Sequence, residues 1–257
     1  MEELVYIKET LSTQEALREH PSFQNEEEKL PEVRAVYTFA QKEGRGQQGN
    51  AWFGGADSNV AMTVGIDCAD VPVEALFSLN MALSLGALDY VCAQVLQASL
   101  KWPNDLYVGQ KKLGGILIEN RVENNKVLSV NFGVGWNVNQ QDFPEHLPNP
   151  VSLWQVDRKE RNLHEEAEKM FTALKNAYDL FGKLRREHGL EWTFLYYKRT
   201  YLHNLYAWNR WRMYRYQGQE VHARIVDVDL YGHLRLETAL QGFLTADIKQ
   251  LQYGFDV

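Results

Sequence analysis

Apolar positions along this chain change spacing several times, from the alternation of strands to the wider recurrence of helices and back. Leu4 to Ile7 is a short β-like run. Ser12-Thr13-Gln14-Glu15 follows as a capping box, in which a hydroxyl and a carboxylate satisfy the open amides of a helix start, so a strand leads into a helix. The stretch from His20 to Pro31 is polar and glutamate-rich and reads as a surface loop before a strand at Val33 to Phe39. A glycine-rich segment spans Gly44 to Gly55, and another strand is expected around Asn59 to Ile66. From Val73 to Gln97 the residues Leu76, Leu79, Leu83, Ala87, Val91 and Val95 recur at helical spacing, with Asp70 available as a cap. That pattern predicts one long amphipathic helix lying against a sheet.

Asp105 to Val108 and Gly114 to Glu119 read as two strands joined by the turn Gly109-Gln110-Lys111-Lys112, and Val127 to Val138 as a third. A helix is predicted from Leu163 to His188, with Met170, Phe171, Leu174, Tyr178, Phe181 and Leu184 on one face and Gly189 as its stop. Its acidic start and basic end complement the helix dipole. Beyond Tyr206 the pattern changes to short strands separated by Gly218, Gly232 and Gly242, which suggests a small β-domain. The expected division is therefore residues 1–205 and residues 206–257.

With 257 residues, 45% of them hydrophobic, the chain can bury a substantial core. Its net charge of −7 offers no overall attraction to phosphate backbones, so nucleic acid is not an expected partner. The N-terminus lacks a basic stretch followed by an apolar run, and the apolar stretch Val73 to Leu96 is interrupted by Glu74, Asn80 and Asp89. A secretory signal and a membrane span are both disfavoured, and a cytoplasmic location is expected. Cys68 and Cys92 fit a reducing compartment as two buried thiols. The histidines are scattered without metal-ligand spacing, and no G-x-S-x-G elbow is present.

Three segments have the residue types that chemistry needs. In Gln41 to Trp52, glycines flank Arg45, so backbone amides and a guanidinium can meet a phosphate or carboxylate. The spacing matches neither a P-loop nor a dinucleotide fingerprint, and a flexible hairpin with a solvated arginine explains the same composition. In Leu100 to Tyr107 a rigid Trp-Pro step follows Lys101 and precedes Asn104 and Asp105. Such a cation suits an anionic ligand and Asp105 suits a magnesium ion, while a strand ending in an Asx turn fits equally. In Phe132 to Asn139, glycines at Gly133 and Gly135 admit a flat ligand or tight packing under Trp136, with Asn137 the nearest polar group. An ordinary polar hairpin accounts for Lys112-Leu113-Gly114-Gly115.

In this order, the segments Glu9 to Gln14, Gln41 with Gly44-Arg45-Gly46 and Gly49 to Trp52, Lys101 to Asp105, Lys112 to Glu119, and Gly133 to Val138 resemble the biotin protein ligases, or biotin–[acetyl-CoA-carboxylase] ligases. The resemblance implies an α+β fold of the class II aminoacyl-tRNA synthetase and biotin ligase type, a mixed sheet packed with helices, followed by a small SH3-like β-barrel. It implies ATP and Mg²⁺, biotin as substrate, a biotinyl-adenylate intermediate, and a lysine of a biotin carboxyl carrier protein as acceptor. Ser12, Thr13 and Gln14 would line the ureido end of biotin with Gln41 beside them. Arg45, Gly46 and Gln47 would belong to the loop closing over the adenylate. Lys101 would lie between carboxylate and α-phosphate, Gly115 in the binding site, Asn137 facing the nucleotide, and Asp105 would hold Mg²⁺. Arg45 and Lys101 are thus the expected catalytic cations.

Two positions depart from the common pattern: Gln14 stands where asparagine is frequent, and Gln47 where a second loop arginine is frequent. Only Met1 to Leu11 precede the first ligand motif, so a form without an N-terminal DNA-binding domain is expected, with a homodimer left open. A lipoate or octanoate ligase shares the implied chemistry, and a non-catalytic biotin or nucleotide sensor is the reading from another class. The polar Ser12-Thr13-Gln14 and Gln41 favour biotin, because an aliphatic acid would leave them unmatched.

Overall fold

The computed structural model describes residues 3–23, 31–44, 46, 52, 54–55, 57–240, 242–248 and 250–254. Seven strands build one mixed sheet: β1 (Leu4–Tyr6), β2 (Val33–Thr38), β3 (Asn59–Pro72), β4 (Ala98–Lys101), β5 (Asp105–Val108), β6 (Lys111–Glu123) and β7 (Lys126–Asn137), in the order β1-β2-β3-β7-β6-β5-β4. β1 runs parallel to β2 and every other neighbour is antiparallel. Period-two alternation in β3 and β7 sends Val60, Met62, Val64 and Ile66 with Val130, Phe132, Val134 and Trp136 to one face, all at most 3% exposed. Thr63, Gly133 and Gly135 occupy the other face, which is left to small and polar residues.

Helices α2 (Leu76–Gln94) and α4 (Leu163–His203) lie on the apolar side. Where they meet, a Cβ on Gly86 would stand 2.7 Å from that of Ala177, so only glycine permits this approach. α2 departs from the expected single apolar face. Ser78, Met81, Ala82, Leu85 and Tyr90 are buried along with Leu79, Leu83, Ala87 and Val91, because the helix is enclosed by the sheet and α4 together. By length and composition it could also cross a membrane, with a mean hydropathy of 1.4 over its most apolar stretch, of which 67% is buried in this fold.

Several local expectations need correction. α1 (Thr13–Glu19) is present, but Ser12 makes no side-chain cap hydrogen bond. Asp70 falls within β3, which runs on to Pro72, and a 3-10 turn at Val73–Ala75 precedes α2, so the N-cap position is Ala75. Cys68 is buried and Cys92 is exposed. A capping box does form at Ser152 and Gln155, ahead of the short α3 (Leu153–Asp157). Gly189 breaks α4 as expected, at φ 80° and ψ 178°, but the helix resumes and continues to His203. That backbone region is nearly exclusive to glycine, so Gly189→Ala should lower unfolding free energy by about 1–3 kcal/mol. A fall in denaturant midpoint at constant slope would show it; an unchanged midpoint would refute it.

The C-terminal strands β8 (Arg212–Tyr216), β9 (Gln219–Val228), β10 (Leu234–Thr238), β11 (Gly242–Ala246) and β12 (Leu251–Tyr253) form a second sheet in the order β11-β10-β9-β8-β12. Gly218, Gly232 and Gly242 turn at positive φ between them. β11 and β12 are its edges and do not pair, so the sheet is open where a closed barrel was expected.

Candidate active site

The site lies on the small-residue face of the main sheet. Registered pairs run Lys101, Asp105, Gly115, Gly135, Ala61 and Thr38 across six strands, which places these residues in one row on one face. A cavity of about 190 Å³ opens over this row, closed at one end by α1. Asp105 and Gly115 line it, as do Ser12, Thr13, Gln14, Gln41 and Gly46.

The α1 end is polar and dry. Ser12, Thr13 and Gln14 are each no more than 5% exposed. Gln41 takes over the capping role: its Oε1 accepts from the Thr13 amide at 2.9 Å and from the Thr13 hydroxyl at 3.2 Å. The Thr63 hydroxyl donates to Thr13 Oγ1 at 2.8 Å. Ser12 is thereby relieved of capping and its side chain borders the cavity. Gln14 donates through Nε2 to the Leu117 carbonyl at 3.1 Å, and its buried Oε1 has no hydrogen-bond partner among the described residues. A Cβ on Gly133 would come within 2.8 Å of Gln14 Nε2, so this glycine makes room for the amide.

Trp52 forms the middle of the site. Its indole lies against Gly135, where an added Cβ would be 2.6 Å away, and reaches Gly115, where the distance would be 3.4 Å. The Trp52 amide donates to the Gly44 carbonyl at 2.8 Å. Tight packing explains these glycines, but beneath Trp52 and Gln14 and not under Trp136, which is on the apolar face of the sheet.

Lys112 and Asp105 form the charged end, with Nζ 2.6 Å from Oδ1. Asn104 donates to the Ile116 carbonyl at 2.8 Å and shares the lining. Lys112 reaches this face through a register shift. Leu106 pairs with Gly114 but Tyr107 pairs with Lys112, leaving Leu113 unpaired between them. Uninterrupted alternation would send Lys112 to the core face with Gly114; the bulge turns it toward Asp105. The sequence gives Lys112 no role beyond a polar hairpin, and it marks Trp52, Asn104, Gly133 and Gly135 only as members of their segments, because which of them meet in one cavity depends on tertiary placement.

Two expected residues lie outside this cavity. Lys101 shares the row of Asp105 but is engaged elsewhere, donating to the Tyr107 hydroxyl at 2.9 Å and facing the rings of Tyr107 and Tyr253. Among the described residues the cation in the lining is Lys112. Asn137 is buried, and its Nδ2 donates to the Val151 carbonyl at 3.0 Å. Arg45 and Gln47 fall outside the described residues. No group of three or more histidine, cysteine, aspartate or glutamate side chains able to hold a metal occurs among the described residues.

An elongated molecule would meet amide and hydroxyl groups at one end, an indole over glycines in the middle, and an ammonium beside a carboxylate at the other. Comparisons with known proteins give the family and the fold of the chain. Residues 6–139 match the model of the biotin/lipoate A/B protein ligase family. The chain is 34% identical over 120 residues to the bifunctional ligase/repressor BirA of Bacillus spizizenii, covering 46% of this chain and 37% of that protein. It is 38% identical over 118 residues to the biotin–[acetyl-CoA-carboxylase] ligase of Mycobacterium tuberculosis, covering 44% and 42%. These matches span less than half the length of either relative. The fold is similar to that of a biotin protein ligase from Aquifex aeolicus solved with biotin and ATP, at a TM-score of 0.72 and 21% identity over 98% of both chains. With more than half of its length matching the family model, the chain belongs to the biotin/lipoate A/B protein ligase family.

Proposed function

We propose that this chain activates biotin with ATP as biotinyl-5′-adenylate, releasing pyrophosphate, and transfers the biotinyl group to a lysine of a biotin carboxyl carrier protein in the cytoplasm. The observation that carries the choice of acid is Gln14 Oε1, without a hydrogen-bond partner among the described residues, beside the buried Ser12 and Thr13 and the half-buried Gln41. Such a group favours a ligand that donates an N–H there, as a ureido ring does, over the apolar end of lipoate or octanoate.

Lys112 stands where the acid's carboxylate would lie, at the opposite end of the cavity. Adenylation brings that carboxylate against the α-phosphate of ATP, two anions that repel each other. A fixed ammonium lowers this repulsion and meets the charge that develops as pyrophosphate leaves. The carboxylate oxygen bonds to phosphorus while the bond to pyrophosphate breaks. In the second step the acceptor amine attacks the acyl carbon and AMP departs. Asp105 holds Lys112 in place, and as the one carboxylate among the described lining residues it suits a magnesium ion completed by phosphate oxygens and water. Bound Mg²⁺ would neutralise phosphate charge. From the family resemblance Arg45 and Gln47, outside the described residues, are assigned to the adenylate.

The test is pyrophosphate exchange into ATP with biotin, lipoate or octanoate as the acid. Exchange with biotin supports the proposal. Exchange with lipoate or octanoate alone would replace the substrate, and exchange with none would reject the activity. Gln14→Leu should raise the KM for biotin about tenfold, the cost of one lost polar partner. An unchanged KM would remove Gln14 from the acid site.

A further inference from the structure

A second cavity, of about 740 Å³, lies among the helices and shares no lining residue with the cavity over the small-residue face. Its volume falls in the range of small-molecule sites. α2 contributes Leu85 and Gly86, the first arm of α4 contributes Ala177 and Leu180, and the arm beyond the Gly189 break contributes Tyr196 and Tyr197. The break is what lets one helix line the cavity twice, since a straight α4 would carry its last residues away from α2. The Tyr196 ring is held by stacking on Trp192, with centres 5.4 Å apart, and by an edge contact with Tyr197 at 5.1 Å.

The polar part of the lining is unbalanced. Asp89, Glu165 and Glu168 bring three carboxylates, while the one cation among them, Lys169, is already 2.8 Å from Glu166, a residue outside the lining. Burial alone raises the pKa of the Asp89 carboxyl, with no cation beside it among the described residues to offset the charge. Tyr197 is a second unmet group. The residue is 4% exposed, and its hydroxyl is buried without a hydrogen-bond partner among the described residues. A ligand that supplies the missing partners recovers part of the cost of burying them.

We propose that this cavity binds a hydrophobic amine, with a protonated ammonium toward Asp89 and the tyrosines and an apolar body over Leu85, Gly86 and Ala177. The lining selects among ligand charges. An anion would meet three carboxylates, and an uncharged hydrocarbon would leave Asp89 and Tyr197 without partners. An ammonium N–H can donate to a carboxylate or to a hydroxyl oxygen, and its charge is attracted to the face of a tyrosine ring. The proposal does not depend on the adenylation chemistry.

The experiment titrates the full chain with phenylbutylamine, phenylbutanol and phenylbutanoate, three probes with one body and different charge. Calorimetry gives the affinities and backbone amide NMR shifts give the location. The amine should bind about tenfold more tightly than the carboxylate, an attraction gained and a repulsion avoided at a partly exposed charge, and should shift amides of α2 and α4. Asp89→Asn should weaken the amine about fivefold and leave the alcohol within about twofold. Tyr197→Phe should also weaken the amine about fivefold, the loss of one hydrogen bond. Equal affinity for all three probes, shifts confined to the Ser12 to Gln14 cavity, or unchanged amine binding by Asp89→Asn would each overturn the inference. So would a dimer that binds no probe and is dissolved by Leu180→Glu, which would assign the cavity to a second copy of the chain.

Discussion

Lys112→Ala is expected to lower biotin-dependent pyrophosphate exchange by about two to three orders of magnitude, the usual cost of removing one fixed group that stabilises transition-state charge. The expectation follows from placement. Lys112 is the one lysine or arginine in the described cavity lining, it lies 2.6 Å from Asp105, and its side chain is 35% exposed, enough to reach a ligand entering from solvent. The Lys112 side chain is 35% exposed and that of Asp105 16%, so the pair lies between a surface and a buried one, and its loss should cost about 1–3 kcal/mol of folding free energy. Circular dichroism melting will separate the two effects. Lys112→Arg should recover part of the activity, because it keeps the charge while replacing a point cation by a planar fork. Activity of Lys112→Ala within threefold of wild type would remove the residue from the reaction.

Gly135→Ala should weaken biotin binding about a hundredfold through contact with a side chain and not through the backbone, a loss comparable to other close steric misplacements in a site. The added methyl would stand 2.6 Å from the Trp52 indole. β7 is paired on both sides, with β3 and β6, and cannot withdraw cheaply. Trp52 must move, and the middle of the cavity loses its cover. Calorimetric titration with biotin measures the loss, and Trp52→Ala combined with Gly135→Ala supplies the control. If the effect travels through the indole, the second substitution adds little to the first; full additivity would show that Gly135 acts by another route.

Much of the architecture was legible along the chain because its causes are local. Alternation in Val60 to Ile66 and Val130 to Trp136 specifies strands with one apolar face, and glycines at 189, 218, 232 and 242 mark positive φ where side chains are disfavoured. The polar cluster Ser12-Thr13-Gln14 with the half-buried Gln41 was also recognisable, since three buried groups of this kind need a purpose. Other features depend on distant partners. Ser12 loses its capping role because Gln41 reaches Thr13 from another segment. α2 is enclosed rather than one-sided because α4 covers it, and Cys92 is left in solvent.

The cations show the division most clearly. Sequence by itself determined that lysines at 101 and 112 flank a hairpin beside a carboxylate. Which one enters the cavity was decided by a single unpaired residue, Leu113, because a strand's side chains change face with every position and one bulge reverses the assignment. Lys112 was turned toward Asp105 in this way. Lys101, in the same row, was taken up by Tyr107 and by Tyr253 from a strand about 150 residues away, a pairing that no local pattern encodes because only the packing of the two sheets creates it.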